Sequence, residues 1–217
     1  MNSETPLVAP GDDLQAVVAT AVRGIARPGD VIAVSESAVA IAQGELLGAE
    51  YVRPSVLAFA IARRADPMAT ISQPESIQLV IDRVGGARVA AATILQIFAR
   101  LFGIRGVFYR MMGEAVTAFD GYTGTMAPYE QAIVLAPRDP GGFARRLSDR
   151  LGVACAVVDV NDLEKAKVLG CSDGIDAVAL EAAMLDNPHG NSDEQTPVVL
   201  LKWRGAGANP LLPEARA

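Results

Sequence analysis

"AVVDVNDLEKAKVLGCSDGID", residues 156–176, changes character within a single step. Cys155 and the run Ala156 to Val158 are uninterrupted apolar residues of the kind that fill the inside of a sheet, and Asp159 ends the run. The chain then turns polar, with Asn161, Lys165, Lys167, Asp173 and Asp176 following in quick succession. The reading is a buried strand that stops at a carboxylate and releases a charged loop. A strand end holds its side chain in a fixed place, which is what a ligand or metal site requires of its donors.

Working outward, helices and strands follow one another in mixed order. Asp12 and Asp13 have the chemistry of a helix N-cap, and Leu14, Val17, Val18, Ala21, Val22 and Ile25 recur at helical spacing until Arg27-Pro28-Gly29-Asp30 turns the chain. Val31 to Ser35 reads as a strand. Pro54 suits the first position of a helix reaching Arg64, and Ser72, Pro74 and Glu75 open another that stops at Gly85-Gly86. Next comes the apolar stretch 86–113, followed by expected strands near 106–109 and 115–118, a strand at 132–135, a helix over 142–151, a strand at 153–158 and a last strand at 197–203. No repeat or low-complexity tract is present. Residues 1–10 and 205–217 are rich in Pro, Gly and Ala and are expected to be loose, leaving 11–204 as one folded domain of two lobes joined through 49–105.

Composition narrows the classes of function. The 217 residues, 51% of them hydrophobic, suffice for a sizeable core. With 19 Lys and Arg against 25 Asp and Glu, the net charge of −6 lacks the basic footprint of a nucleic-acid binder. Two cysteines without a CxxC pattern and a single histidine give no histidine-based zinc site, and both thiols read as reduced and structural. The opening MNSETPLVAPGDD has no basic region before an apolar core, so the expectation is a cytoplasmic protein. Residues 86–113 are the most apolar, yet Arg88, Arg100, Arg105 and Arg110 interrupt them, and no membrane span is expected. Val89, Ile94, Ile97, Phe98, Leu101 and Phe102 crowd one side of that helix, which fits a core or dimer-interface helix, or else an amphipathic membrane or partner surface.

The familiar phosphate and hydrolase motifs are absent: there is no GxxxxGK[ST], GxGxxG, GxSxG or HExxH. What remains are aspartates at strand ends and in loops, namely Asp120 in "AVTAFDGYTG", Asp159, Asp173 and Asp176. Their hard oxygens suit Mg²⁺ or Mn²⁺, ions that stay partly hydrated and are often shared with substrate phosphates.

The order of segments resembles the coenzyme F-420 γ-glutamyl ligases. "PGDDLQAVVATAVRGIARPGDVIAVSESAVAIAQGELL" is similar to that family's GDDL helix, GDV turn, strand and SKAEG segment. "RPSVLAFAIARRADPMATISQPESIQLVIDRV" is similar to its paired helices, and "FDGYTGTMAPYEQAIVLAPRDPGGFARRLSDRLGVACAVVDVNDL" to its aspartate loop, its LLP.DPD.SA segment and its VIITDT.G strand. The resemblance runs through most of 10–202 and is weakest at 90–105.

It implies an α+β fold of mixed sheets flanked by helices, in two lobes and an intertwined homodimer. It also implies a divalent metal, Mg²⁺ or Mn²⁺, on Asp120 and Asp159, with GTP as a substrate whose γ-phosphate activates an acceptor carboxylate for attack by the amine of L-glutamate. The acceptor would be a deazaflavin precursor of coenzyme F-420 or a related acid. Lys165 and Lys167 fall where the family has phosphate-holding arginines, and Asn161 and Gln43 join them as nucleotide-site candidates. Asp173, in a stretch similar to the family's NG..D.AIG, and Glu36 are candidates for lining the site.

This chain departs from the pattern at three positions. Ile41 stands for the family's lysine and Gln43 for its glutamate in SKAEG, while Val160 replaces the threonine after the strand aspartate. Two alternatives to a ligase therefore stand beside it: a relative that keeps the scaffold but not the ligation, and an interaction protein using the 86–113 helix.

Overall fold

The structure is a computed structural model that describes residues 2–3, 5–65, 72–117, 119–120, 127–161, 165–190, 196–203 and 209–212. In chain order its elements begin β1 (Asn2–Ser3), α1 (Leu14–Ala21), β2 (Val31–Ser35), α2 (Glu36–Ala42), β3 (Leu46–Gly48), α3 (Val56–Ala62), α4 (Pro74–Val84) and α5 (Gly86–Leu101). They continue with α6 (Val107–Met112), α7 (Glu114–Thr117), β4 (Phe119–Asp120), β5 (Ala132–Leu135), α8 (Pro140–Leu151), β6 (Ala154–Asn161), β7 (Lys165–Cys171), α9 (Ala177–Ala183) and β8 (Val198–Leu201). The class is α+β with mixed sheets, as the sequence predicts.

Contacts divide the chain into two compact units, Met1–Glu45 with Ala136–Ala217, and Leu46–Leu135. In the first unit five strands form a sheet in the order β1-β8-β2-β6-β7. Only β2 and β6 run parallel, with Val31 opposite Ala154 and Ser35 opposite Val158. The remaining neighbours are antiparallel. Because side chains alternate across a sheet, β6 divides between two cores. Cys155 and Val157 join Leu14, Val18, Val39, Phe143 and Leu147 beneath α1, α2 and α8. Ala156 and Val158 join Val31, Val199, Leu180 and Met184 beneath α9.

Local chemistry explains the helices that matter here. Asp13 accepts the Ala16 N–H at 3.0 Å and so caps α1, whose Leu14 and Val18 are buried. At α8, Asp139 accepts the Gly142 N–H at 2.9 Å and Pro140 takes the first helical position. Gly170 of β7 lies so close to this helix start that a Cβ there would fall on the backbone of Pro140 and Gly141.

The second unit is mostly helical. Ala58, Ile61, Ile77, Val80, Val89, Ala92, Phe108, Met112 and Ile133 make its core, and it carries an antiparallel sheet in the order β3-β5-β4. Residues 49–105 lie wholly inside this unit rather than joining two lobes, because α3, α4 and α5 pack on one another around a core of their own.

Several expectations need correction. Of the strands expected at 106–109 and 115–118, Val107–Tyr109 and Ala115–Thr117 are helical, in α6 and α7, Gly106 is the left-handed cap of α6, and residue 118 lies outside the described residues; Phe108 and Met112 at i and i+4 turn to the same core. The N-terminus is not loose over its described residues: β1 pairs with β8, and Thr5 and Val8 are buried. Leu211 and Leu212 pack on the α9 side of the sheet, and Asn209 Nδ2 donates to the Gly29 carbonyl at 2.9 Å. Asp159 does not end its strand, and the polar stretch after it contains β7. Among the described residues no single helix is long and apolar enough to cross a membrane; α4 and α5 reach that length only together and are bent by 117°.

Gly170→Ala is expected to destabilise the chain by about 1–3 kcal/mol, because the added methyl meets backbone that cannot yield as a side chain would. A urea melt reads this, and an unchanged midpoint would contradict the close approach of β7 to α8.

Candidate active site

The parallel pair sets the geometry. Ser35 and Val158 are register partners, so Glu36, which opens α2, and Asp159 each follow directly at the carboxyl end of the two adjacent strands. Ligand sites in sheets with parallel strands favour this end, where chain leaving each strand can present donors without breaking the ladder. Across the hairpin, Asp159 opposes Lys167 and Asn161 opposes Lys165. Directly opposed residues share a face, so Asp159 and Lys167 lie on the face that carries α2 and α8. Val160, Ala166 and Val168 pack on the other. Four of the predicted residues, Asp159, Lys165, Lys167 and Glu36, are therefore brought to one end of one sheet, with the Asn161 backbone in register beside them.

Burial holds the Asp159 carboxyl above the ordinary carboxylate range, and the Lys167 ammonium pulls it back only in part. Desolvation disfavours the charged form, and a cation brought to that carboxylate would relieve the penalty. Lys165 and Lys167 keep their side chains exposed, as phosphate-binding ammonium groups do before a ligand arrives.

Other predicted residues are placed elsewhere. Asp173 follows Ser172, whose Oγ accepts the Cys155 N–H at 3.0 Å. That bond puts Asp173 at the opposite end of β6, roughly 13 Å from Asp159 at the usual strand rise. Gln43 caps the far end of α2 from Glu36. Its Nε2 donates to the Arg138 carbonyl at 2.9 Å, its Oε1 accepts the Arg138 N–H at 2.6 Å, and its own carbonyl accepts from the Arg138 guanidinium at 2.8 Å. The same guanidinium pairs with Glu45 at 2.5 Å. Both ends of the amide thus hold a neighbouring chain segment. Asp120 lies in β4, in register with Val134, in the second unit; its side chain lies outside the described residues. Among the described residues no three His, Cys, Asp or Glu side chains gather as a metal cluster.

The sequence reading missed β7. Its signal was the alternation of Lys165 and Lys167 with Ala166 and Val168, a period of two that charge density disguised as a loop. Both cysteines are free, and burial pushes the Cys155 thiol up to about 12 and raises Cys171 as well, consistent with structural thiols.

The model of the family described as F420-0:Gamma-glutamyl ligase matches residues 3–164. This chain belongs to that family. A curated relative, the coenzyme F420:L-glutamate ligase of Methanopyrus kandleri, is 29% identical over 144 residues, covering 66% of this chain and 49% of its own length. The chain thus spans about half the length of that ligase. The three positions at which the sequence departs from the pattern of the resemblance are all engaged by the scaffold. Ile41 lies against the core beneath α2, Val160 against the cluster beneath α9, and Gln43 in the clasp on Arg138.

Asp159 makes stability depend on pH in a definite direction. Its folded-state carboxyl keeps its proton to higher pH than in the unfolded chain, so its favourable contribution is complete below the ordinary carboxylate range and is lost as pH rises through the folded value. Asp159→Asn, neutral throughout, is expected to melt higher than wild type at pH 7 and to lose that advantage in acid. Thermal melts of both proteins across pH check this; a variant less stable at pH 7 would contradict a desolvated carboxyl.

Proposed function

We propose that this chain is a γ-glutamyl ligase-like enzyme that uses GTP and Mg²⁺ or Mn²⁺ to join L-glutamate to a deazaflavin precursor of coenzyme F-420 or a related carboxylic acid. The observation that carries the reading is a desolvated carboxylate, Asp159, set opposite Lys167 at the carboxyl end of a parallel strand pair inside the family-matched segment. Asp159 and Asp120 would supply oxygen donors to the ion, and their chemistry fits a hard divalent cation. When bound, such an ion neutralises charge on the phosphoryl group in transfer. Lys167 and Lys165 would hold phosphate oxygens from the edge strand, with the Asn161 segment closing the same end. Glu36 would line the acceptor side.

A second reading has its own observation. Ile41, Gln43 and Val160 are committed to packing and to the Arg138 clasp, so the cation and the acid that the family places in its SKAEG segment are missing here. A protein that binds nucleotide and metal without ligating is what those exchanges favour.

Calorimetric titration of GTP with Mn²⁺ separates the readings. Metal-dependent binding is expected for wild type, weakened about tenfold or more in Asp120→Asn and in Asp159→Asn, with a smaller loss in Lys167→Ala. Binding followed by glutamate addition supports the ligase, binding without turnover the second reading, and no binding removes both.

The assembly we propose is a homodimer. On α5 and the turn after it, Ile94, Ile97, Phe98, Leu101 and Phe102 are exposed, Leu101 by 76% and Phe102 by 80%, an apolar area that a second copy of the chain would bury. Sedimentation is expected to give a dimer for wild type and a monomer for Phe98→Asp. A monomeric wild type would leave this face to another partner, the interaction reading.

A further inference from the structure

The pairing of Asp159 with Lys167 depends on an irregularity in β7. Val157 opposes Gly170, but Val158 opposes Val168, so Leu169 is one residue too many at that rung. Only beyond this bulge does Lys167 come opposite Asp159 and Ala166 opposite Val160. Were β7 to slip by one residue, its faces would exchange: the lysines would turn to the Leu180 and Met184 side, and an apolar residue would stand beside Asp159. Bulges re-aim side chains in this way. The strand that carries it is poorly defended, because among the described residues β7 is the last strand of its sheet and pairs with β6 alone.

Two contacts pin the bulge from either side of the sheet. On the α8 side, Gly170 lies against the backbone of Pro140 and Gly141. On the α9 side, the Val168 N–H donates to Glu181 Oε1 at 2.9 Å in a partly buried position. Glu181 is neighbour to Leu180, which with Met184 is fully buried in the cluster that Val158, Val160 and Val168 share. Leu180 and Met184 supply the fully buried apolar contacts of α9. Its packing does not require an acid between them, whereas an ionised carboxylate accepting a backbone N–H makes a shorter and stronger bond than a neutral acceptor.

We infer that Glu181 is a positioning residue, whose carboxylate holds β7 in the bulged register that sets Lys167 opposite Asp159. Its meaning for ligation rests on the functional reading above; its geometry does not. The test uses the full chain with Glu181→Met, which keeps length and packing but lacks the oxygen, and Glu181→Gln, which restores an acceptor.

Amide exchange at Val168 and the cross-strand NMR contacts between Asp159 and Lys167 are the two readouts. In Glu181→Met, exchange at Val168 is expected to quicken about tenfold, in line with one lost hydrogen bond. The cross-strand contacts between Asp159 and Lys167 are expected to weaken as the register of β7 is released. Glu181→Gln is expected to restore both. A Met variant that melts lower while Asp159 keeps its wild-type cross-strand contact with Lys167 would reduce Glu181 to an ordinary packing contact and overturn the proposal. If Glu181→Met does not fold, Glu181→Asp, whose shorter side chain stops short of Val168, takes its place with the same two outcomes. Failure of wild type to bind GTP and Mn²⁺ would sink the ligase reading and leave this one standing.

Discussion

The parallel pairing of β2 with β6 is the constraint on which the first unit depends. It is the one parallel contact in the five-stranded sheet, and it brings Glu36 and Asp159 to a common edge from positions far apart in the chain. Everything the site requires follows from it. β6 must be apolar on both faces to lie between the α8 and α9 layers, so a charge on it can stand only near the end of the strand. Asp159 occupies that place and remains partly desolvated. A carboxylate held this way is costly for the folded protein when nothing is bound, and costs of that kind gather at functional sites.

Much of this was legible in the sequence. The apolar run before Asp159, the Asp13 cap and the 31–35 and 132–135 strands were readable because each is fixed by short-range pattern: burial on both faces, a capping oxygen, a bounded β-branched run. The aspartate could be singled out for the same reason, whereas both lysines became candidates only through the resemblance to the family. What the sequence concealed was decided by tertiary partners. β7 exists because β6 offers an edge and α9 covers the other side, and a charged, alternating segment without those partners reads as loop. The stretches 107–112 and 114–117 are apolar enough for strands, and the second unit's core settles them as helix. Asp173 looked equivalent to the other aspartates because sequence distance does not reveal which end of a hairpin a residue reaches.

The three departures from the family pattern illustrate how a site residue becomes a scaffold residue. Where the resemblance implies a lysine and a threonine, Ile41 and Val160 pack against the two cores, and where it implies a glutamate, Gln43 makes two directed hydrogen bonds to Arg138. Each exchange is locally favourable for folding. Ile41 and Gln43 bring no charge to the α2 region, and Val160 lies on the α9 face, so the Asp159 and Lys167 pair is untouched by all three. Scaffold and chemistry are therefore separable within one strand: Val160 serves the core, and its neighbour Asp159 faces the opposite way.

The clasp on Arg138 has a consequence for how the chain is threaded. Gln43 and Glu45 grip Arg138 on the first unit's side of the crossing, and Leu46 pairs with Val134 on the second unit's side. Leu46 and Val134 are register partners, so the two ends of 46–135 lie close together within their own unit, as the ends of an insertion do. An insertion closed in this way shortens the effective loop between β2 and β6, and closure entropy grows only slowly with what lies beyond the paired ends. The length and composition of the inserted unit are consequently free to drift without disturbing the strand pair that carries Asp159, provided that pairing is kept.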